Sequence, residues 1–122
     1  MHEFSLAQSV FDTVVTIAQE RKINKIKQVV LKFGVFALVL EDQFRFCFDL
    51  IKTDSDLTKT TELKIIWVPG ELKCMNCNFK GKITSNPQEH NELAPIFKCP
   101  NCNSFHTEII SGTETIIDSL VA

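Results

Sequence analysis

Two cysteine pairs, Cys74-Met75-Asn76-Cys77 and Cys99-Pro100-Asn101-Cys102, constrain this chain more than any other feature. Thiols spaced this way converge only if the backbone turns tightly between them, and two such turns supply the four soft ligands of a tetrahedral zinc shell. Asn78 and Asn103 follow the second cysteine of each pair. Asparagine tolerates the left-handed backbone that the exit from such a turn requires. The 21 residues between Cys77 and Cys99 slightly exceed the usual ribbon spacing. The pairs predict a structural zinc site formed by Cys74, Cys77, Cys99 and Cys102, with the intervening chain as a metal-closed loop.

Other uses of four cysteines fit less well. A disulfide scaffold needs an export signal, and a thioredoxin-like dithiol occurs once, at a strand-to-helix turn inside a βαβ unit. Neither context is present in the sequence. His90 and His106 lie close enough in sequence to substitute as ligands, but four thiolates already complete the shell, so both read as solvated loop residues. The same closure argues against an enzyme, because catalytic zinc keeps a position open for water. Ser, His and acidic residues elsewhere form no recognisable triad spacing.

Composition narrows the partners. A hydrophobic fraction of 44% with ten Phe and one Trp suffices for a real core, while a net charge of −2 offers no general attraction to nucleic acid. A zinc-ribbon adaptor or nucleic-acid-binding protein is the competing reading. Lys73, Lys80, Lys82 and Lys98 stand against Glu71, Glu89 and Glu92 in the cysteine segment, a near balance with little pull on phosphate. The first twenty positions carry no basic n-region, and Gln8, Ser9, Asp12, Thr13 and Thr16 interrupt their apolar residues. That is unlike an export signal or a membrane span and predicts a cytoplasmic protein. Cys47, among Phe44, Phe46 and Phe48, is expected to pack as a small buried hydrophobe.

Periodicity then places the elements. Phe4, Ala7, Val10, Phe11, Val14, Ile17 and Ala18 recur at helical spacing, with Ser5 and Gln8 set as a capping box, so residues 5 to about 21 read as a helix. The β-branched run from Lys25 to Val35 reads as a strand ended near Gly34. From Glu41 to Ile51 the pattern is double. Phe44, Phe46, Phe48 and Leu50 alternate as in a strand, whereas Leu40, Phe44, Cys47, Phe48 and Ile51 follow helical spacing. Glu41 and Asp42 suit the positive end of a helix dipole and favour the helix.

Leu63, Ile65, Ile66, Trp67 and Val68 form a second strand, stopped at Pro69-Gly70. Beyond the cysteines, the apolar residues from Ile109 to Val121, broken at Gly112, read as a return to the first sheet. The predicted fold is α+β: a small mixed sheet with two helices and an inserted zinc-ribbon-like module. Residues 1–70 with 107–122 form the α/β domain, and residues 71–106 the zinc module. Phe79, Ile83 and Phe97 read as the few core residues of that module, so metal is expected to supply its folding free energy.

The opening Met1-His2-Glu3-Phe4-Ser5-Leu6 is the second informative feature. A terminal amine, an intervening amide nitrogen and the His2 imidazole can close fused chelate rings in a plane, a geometry suited to Ni(II) or Cu(II). With this opening, the two cysteine pairs and the order of elements over nearly the whole chain, the sequence resembles the HypA/HybF family of hydrogenase maturation factors.

The resemblance implies a nickel metallochaperone. It implies Ni(II) held at Met1, His2 and Glu3, through the amine, the imidazole and backbone amides, with Zn(II) at the four cysteines. It implies delivery to the [NiFe]-hydrogenase large subunit precursor together with a HypB-type GTPase, and some relatives serve urease maturation proteins. No nucleic acid or membrane is implied, and a monomer or weak homodimer is expected. The chain departs from the family pattern at Thr58-Lys59-Thr60-Thr61, in the apolar run from Val35 to Leu40 and in the length of the loop between the cysteine pairs.

Overall fold

Leu6, Ala7, Val10, Val14 and Ala18 are buried along one side of α1 (Glu3–Glu20), the stripe that a 3.6-residue repeat gives a helix packed on one face. The computed structural model describes residues 3–83 and 97–122. The helix is already formed at Glu3, so Ser5 lies inside it instead of capping it. Gln8 donates its amide along the helix to Asp12, at 2.9 Å, and so does not close a capping box. Phe4 is 56% exposed and belongs to the outer face, although its spacing fits the apolar stripe.

The double pattern at Glu41–Ile51 resolves as helix α2 over those residues. Phe44, Phe48 and Ile51 are buried, while the alternating partners Phe46 and Leu50 are 66% and 56% exposed. Helical spacing therefore governs burial, and the Phe44 and Phe48 rings sit one turn apart, 6.3 Å between centroids. Cys47 is only half-buried, in an open groove with Glu3, Phe4, Asp42, Gln43 and Phe46, so the expectation of full burial is corrected. Position 47 lies a helical step away from the line through 44, 48 and 51, on the flank of the buried stripe. Arg45 bonds Glu41 at 2.9 Å and donates to the Leu63 carbonyl at 2.8 Å, tying α2 to the adjoining strand.

Strands β1 (Gln28–Gly34), β2 (Glu62–Val68) and β6 (Thr115–Val121) form one sheet in the order β2-β1-β6. The Glu62 N–H donates to Lys27 C=O at the start of both β2 and β1, so these strands run parallel, as a crossover through α2 requires. Lys27 N–H donates to Val121 and Gly34 N–H to Glu114, which makes β6 antiparallel to β1. The sheet is mixed. As the central strand, β1 buries Val29, Val30, Leu31 and Phe33 on both faces.

Thr58 and Thr61, within the segment that departs from the family pattern, are buried polar residues. Their hydroxyls donate to the carbonyls of Lys52 and Ile26, each at 2.7 Å, and hold the approach to β2 in place. The burial of these side chains is compensated by hydrogen bonds.

Strands β3 (Gly70–Cys74), β4 (Lys80–Ile83) and β5 (Thr107–Ser111) form a second antiparallel sheet, in the order β4-β3-β5. Ile109 and Ile110 thus pair with β3 and do not return to the first sheet as the sequence suggested. Only the part after Gly112, with its φ of 104°, does so. The cysteine segment is inserted between two strands of one sheet, β2 and β6.

Two compact units result. One comprises Met1–Leu31, Val39–Ile66 and Ile116–Ala122, the other Lys32–Leu38 and Trp67–Thr115. The second is wider than residues 71–106 and takes in Lys32–Leu38, which brings apolar side chains to its core. Val35 and Phe36 join Leu72, with Leu38, Ile83 and Phe97 packed around them, and the Phe36 and Phe97 rings lie 5.4 Å apart. This gives the apolar residues at 35, 36 and 38 a core of their own.

Within this unit, a Cβ at Gly34 would stand 2.0 Å from the Gly112 carbonyl oxygen. Backbone meets backbone there, so no rotamer change relieves the overlap. Gly34→Ala is expected to lower unfolding stability by about 3 kcal/mol, read by denaturant titration.

Candidate metal centre

The period-two burial of β3 puts Gly70, Leu72 and Cys74 on the inner side, so the strand that carries the core leucine also delivers the first ligand. After Cys74 the chain makes a short loop, closed by Cys74 N–H to Phe79 C=O at 2.7 Å and by Asn78 N–H to Cys74 C=O at 3.1 Å. The second pair repeats it: Cys99 N–H donates to Ser104 C=O at 2.8 Å, and Asn103 N–H to Cys99 C=O at 2.9 Å. Asn78 and Asn103 both have φ of 64°, the left-handed backbone anticipated for them. One turn has been built twice.

Inside each turn the backbone faces sulfur. The N–H groups of Asn76 and Cys77 point to Cys74 Sγ, and that of Asn101 to Cys99 Sγ, each at 3.4 Å. Such donors stabilise thiolate over thiol. All four sulfurs lie within 4.8 Å of one another, and the Cys74–Cys102 and Cys77–Cys99 separations are both 3.6 Å. Zinc–sulfur bonds of about 2.3 Å in a tetrahedron place sulfurs about 3.8 Å apart. The four residues therefore fit a tetrathiolate metal ion at close to their present positions. Cys74 and Cys99 are buried, Cys77 and Cys102 half-buried.

Cys77 and Cys102 differ in how readily they ionise. The Asn101 amide, then the Phe79 N–H, favour the Cys77 thiolate and lower its pKa to about 6. At Cys102 the Ser104 N–H acts in the same direction, but loss of water and the sulfurs of Cys77, Cys74 and Cys99 outweigh it and raise that thiol to about 11. Between these two sulfurs, negative charge is favoured at Cys77.

Side chains that the sequence reading passed over complete the surround. Asn76 Nδ2 reaches Cys102 Sγ at 4.0 Å, and Asn101 Nδ2 reaches Cys77 Sγ at 3.4 Å, each across to the opposite turn. The signal was present in the sequence as the same residue before the second cysteine in both pairs. His106 is exposed and not among the clustered ligands; its carbonyl accepts the Met75 N–H. His90 lies outside the described residues.

Of the terminal residues, Met1 and His2 lie outside the described residues, while Glu3 is half-buried. Glu3 Oε1 accepts the N–H of Leu40 at 3.2 Å. Leu40 is the N-cap of α2 and has no side chain able to cap, so a carboxylate from α1 meets the positive end of that helix instead. Glu3→Ala is expected to lower stability by about 1 kcal/mol in thermal or denaturant unfolding. No described helix is long and apolar enough to cross a membrane.

Residues 1–122 match the family model described as "Hydrogenase/urease nickel incorporation, metallochaperone, hypA". Among similar proteins, the hydrogenase maturation factor HypA of Dehalococcoides mccartyi is 32% identical over 98% of this chain and 92% of its own length. That of Francisella philomiragia is 33% identical over 99% and 98%. The solution structure of the Ni metallochaperone HypA from Helicobacter pylori superposes with a TM-score of 0.65 at 25% identity, covering 99% of this chain and 97% of that one. With the family model matching residues 1–122 and relatives above 30% identity aligned over nearly the whole of both chains, this chain belongs to the HypA family of nickel-incorporation metallochaperones.

Proposed function

We propose that this chain carries Ni(II) at its N-terminal tip and passes it to the [NiFe]-hydrogenase large subunit precursor, working with a HypB-type GTPase. The ligands are the Met1 amine, the His2 imidazole and backbone amide nitrogens at His2 and Glu3. Zn(II) at Cys74, Cys77, Cys99 and Cys102 shapes the second unit. The family match over residues 1–122, together with the Met1-His2-Glu3 opening, carries this reading.

Physical arguments support the split between cargo and structure. Amide nitrogens in the first turn of a helix have no acceptor one turn earlier, so those at the start of α1 are free of intrahelical bonds. The Glu3 carboxylate is engaged by Leu40 N–H, which leaves Glu3 to serve nickel through its backbone and to anchor the tip through its side chain. A planar nitrogen set suits Ni(II), whereas four thiolates in a tetrahedron suit zinc. Nickel is a cargo, so the protein needs no catalytic turnover.

The chain works in the cytoplasm, where the thiols stay reduced. The family description joins hydrogenase with urease, so urease maturation proteins are a second destination. The test is nickel titration of tag-free protein beside His2→Ala, with zinc measured in both. Equal nickel binding by the two would refute the assignment.

A further inference from the structure

The four sulfurs are not equivalent. Cys74 and Cys99 are buried and out of reach, while Cys77 and Cys102 are half-buried and form the outer edge of the cluster. Each outer sulfur receives a backbone N–H from two residues on, Phe79 for Cys77 and Ser104 for Cys102. They differ in the amide that crosses from the opposite turn, 3.4 Å from Asn101 to Cys77 but 4.0 Å from Asn76 to Cys102. A hydrogen bond of 3.4 Å to sulfur draws charge from the thiolate and covers it sterically, whereas one at 4.0 Å does little of either.

We propose that Asn101 guards Cys77, so that the tetrathiolate opens at Cys102, the one sulfur both reachable and weakly hydrogen-bonded, and that Cys102 is where a soft electrophile attacks. The reactive ligand keeps its nucleophilicity in proportion to the charge left on sulfur, which sets the order Cys102 before Cys77 before the buried pair. Asn101 is a positioning residue toward the metal, acting through Cys77. This inference rests on the four cysteines holding zinc, and measuring zinc alongside separates failure of that premise from failure of the ordering.

The probe is N-ethylmaleimide on zinc-loaded protein at limiting reagent. Sγ adds to the alkene, the carbon–sulfur bond forms as the π bond breaks, and the adjacent ring carbon takes a proton from water. Peptide mass mapping follows each cysteine separately, so that the free thiol of Cys47 is counted apart. The expected result is adduct at Cys102 about tenfold faster than at Cys77, with zinc released in step with the Cys102 adduct.

Asn101→Ala should raise the Cys77 rate about tenfold and leave the Cys102 rate within about twofold. In the Co(II)-substituted protein the same substitution should shift the sulfur-to-cobalt charge-transfer band to lower energy, a signature that a merely structural asparagine would not give. If Asn101→Ala does not retain metal, Asn101→Ser replaces it, and the parent comparison alone still decides the order. Equal rates at Cys77 and Cys102, Cys77 reacting first, or a Cys77 rate unmoved in the variant would overturn the proposal.

Discussion

Cys99→Ala is expected to lose its zinc and, with it, the ordered structure of the unit that carries the cysteines. Among the described residues, little else holds that unit: one core cluster of Val35, Phe36 and Leu72, with Leu38, Ile83 and Phe97 only partly covered, and the buried Phe33. Burying these side chains contributes about 1.5–3 kcal/mol each, most of it offset by the entropy of ordering the chain, whereas a structural zinc site contributes on the order of 10 kcal/mol. With zinc at the proposed site, metal binding therefore dominates the stability of this part of the chain.

Cys99 is a severe case because it is fully buried and lies 3.6 Å from Cys77. Metal analysis should find zinc falling from one equivalent to near zero. Thermal unfolding should show one transition lost or strongly lowered, while the helical signal of α1 and α2 persists, since their core draws on Leu6, Val14, Phe44 and Phe48 and on no cysteine. A variant that kept full zinc and an unchanged melt would show that the cluster is not the clasp of this unit.

The second large effect is at the other end of the chemistry. His2→Ala, or acylation of the Met1 amine, should weaken Ni(II) binding by at least about 100-fold, because in the proposed site each removes a ligand and breaks the fused rings that would hold the metal in a plane. Zinc should stay at one equivalent in both. Calorimetric or competition titration with nickel gives the first number and metal analysis the second. A proton competes with nickel for an imidazole, so mild acidification should release nickel from the parent before it disturbs zinc.

Much of this was legible in the residues, and the exceptions have physical causes. Glu41–Ile51 offered both periods, and the helix was favoured by Glu41 and Asp42 at its start. The exposure of Phe46 and Leu50 shows why the strand pattern lost. Asn78 and Asn103 announced the left-handed exits from the two turns. The capping box at Ser5 misled because the helix had already begun at Glu3, whose carboxylate serves a different helix, 37 residues away in sequence. Such long-range capping leaves no local signature.

The strand at Thr107–Ser111 was assigned to the wrong sheet for a similar reason. Its two adjacent isoleucines suggest a strand but not which neighbour it joins, and β3 claims it through the register Cys74↔Thr107. The crosswise asparagines were written in both pairs. What they touch follows only once the two turns face each other.

The most direct test of the division between nitrogen-bound cargo and sulfur-bound zinc is X-ray absorption on tag-free protein loaded with one equivalent of nickel and one of zinc. The nickel edge should show a near-planar site of nitrogen and oxygen scatterers without sulfur, and the zinc edge four sulfurs at about 2.3 Å. Sulfur around nickel, with the zinc shell depleted to match, would contradict it.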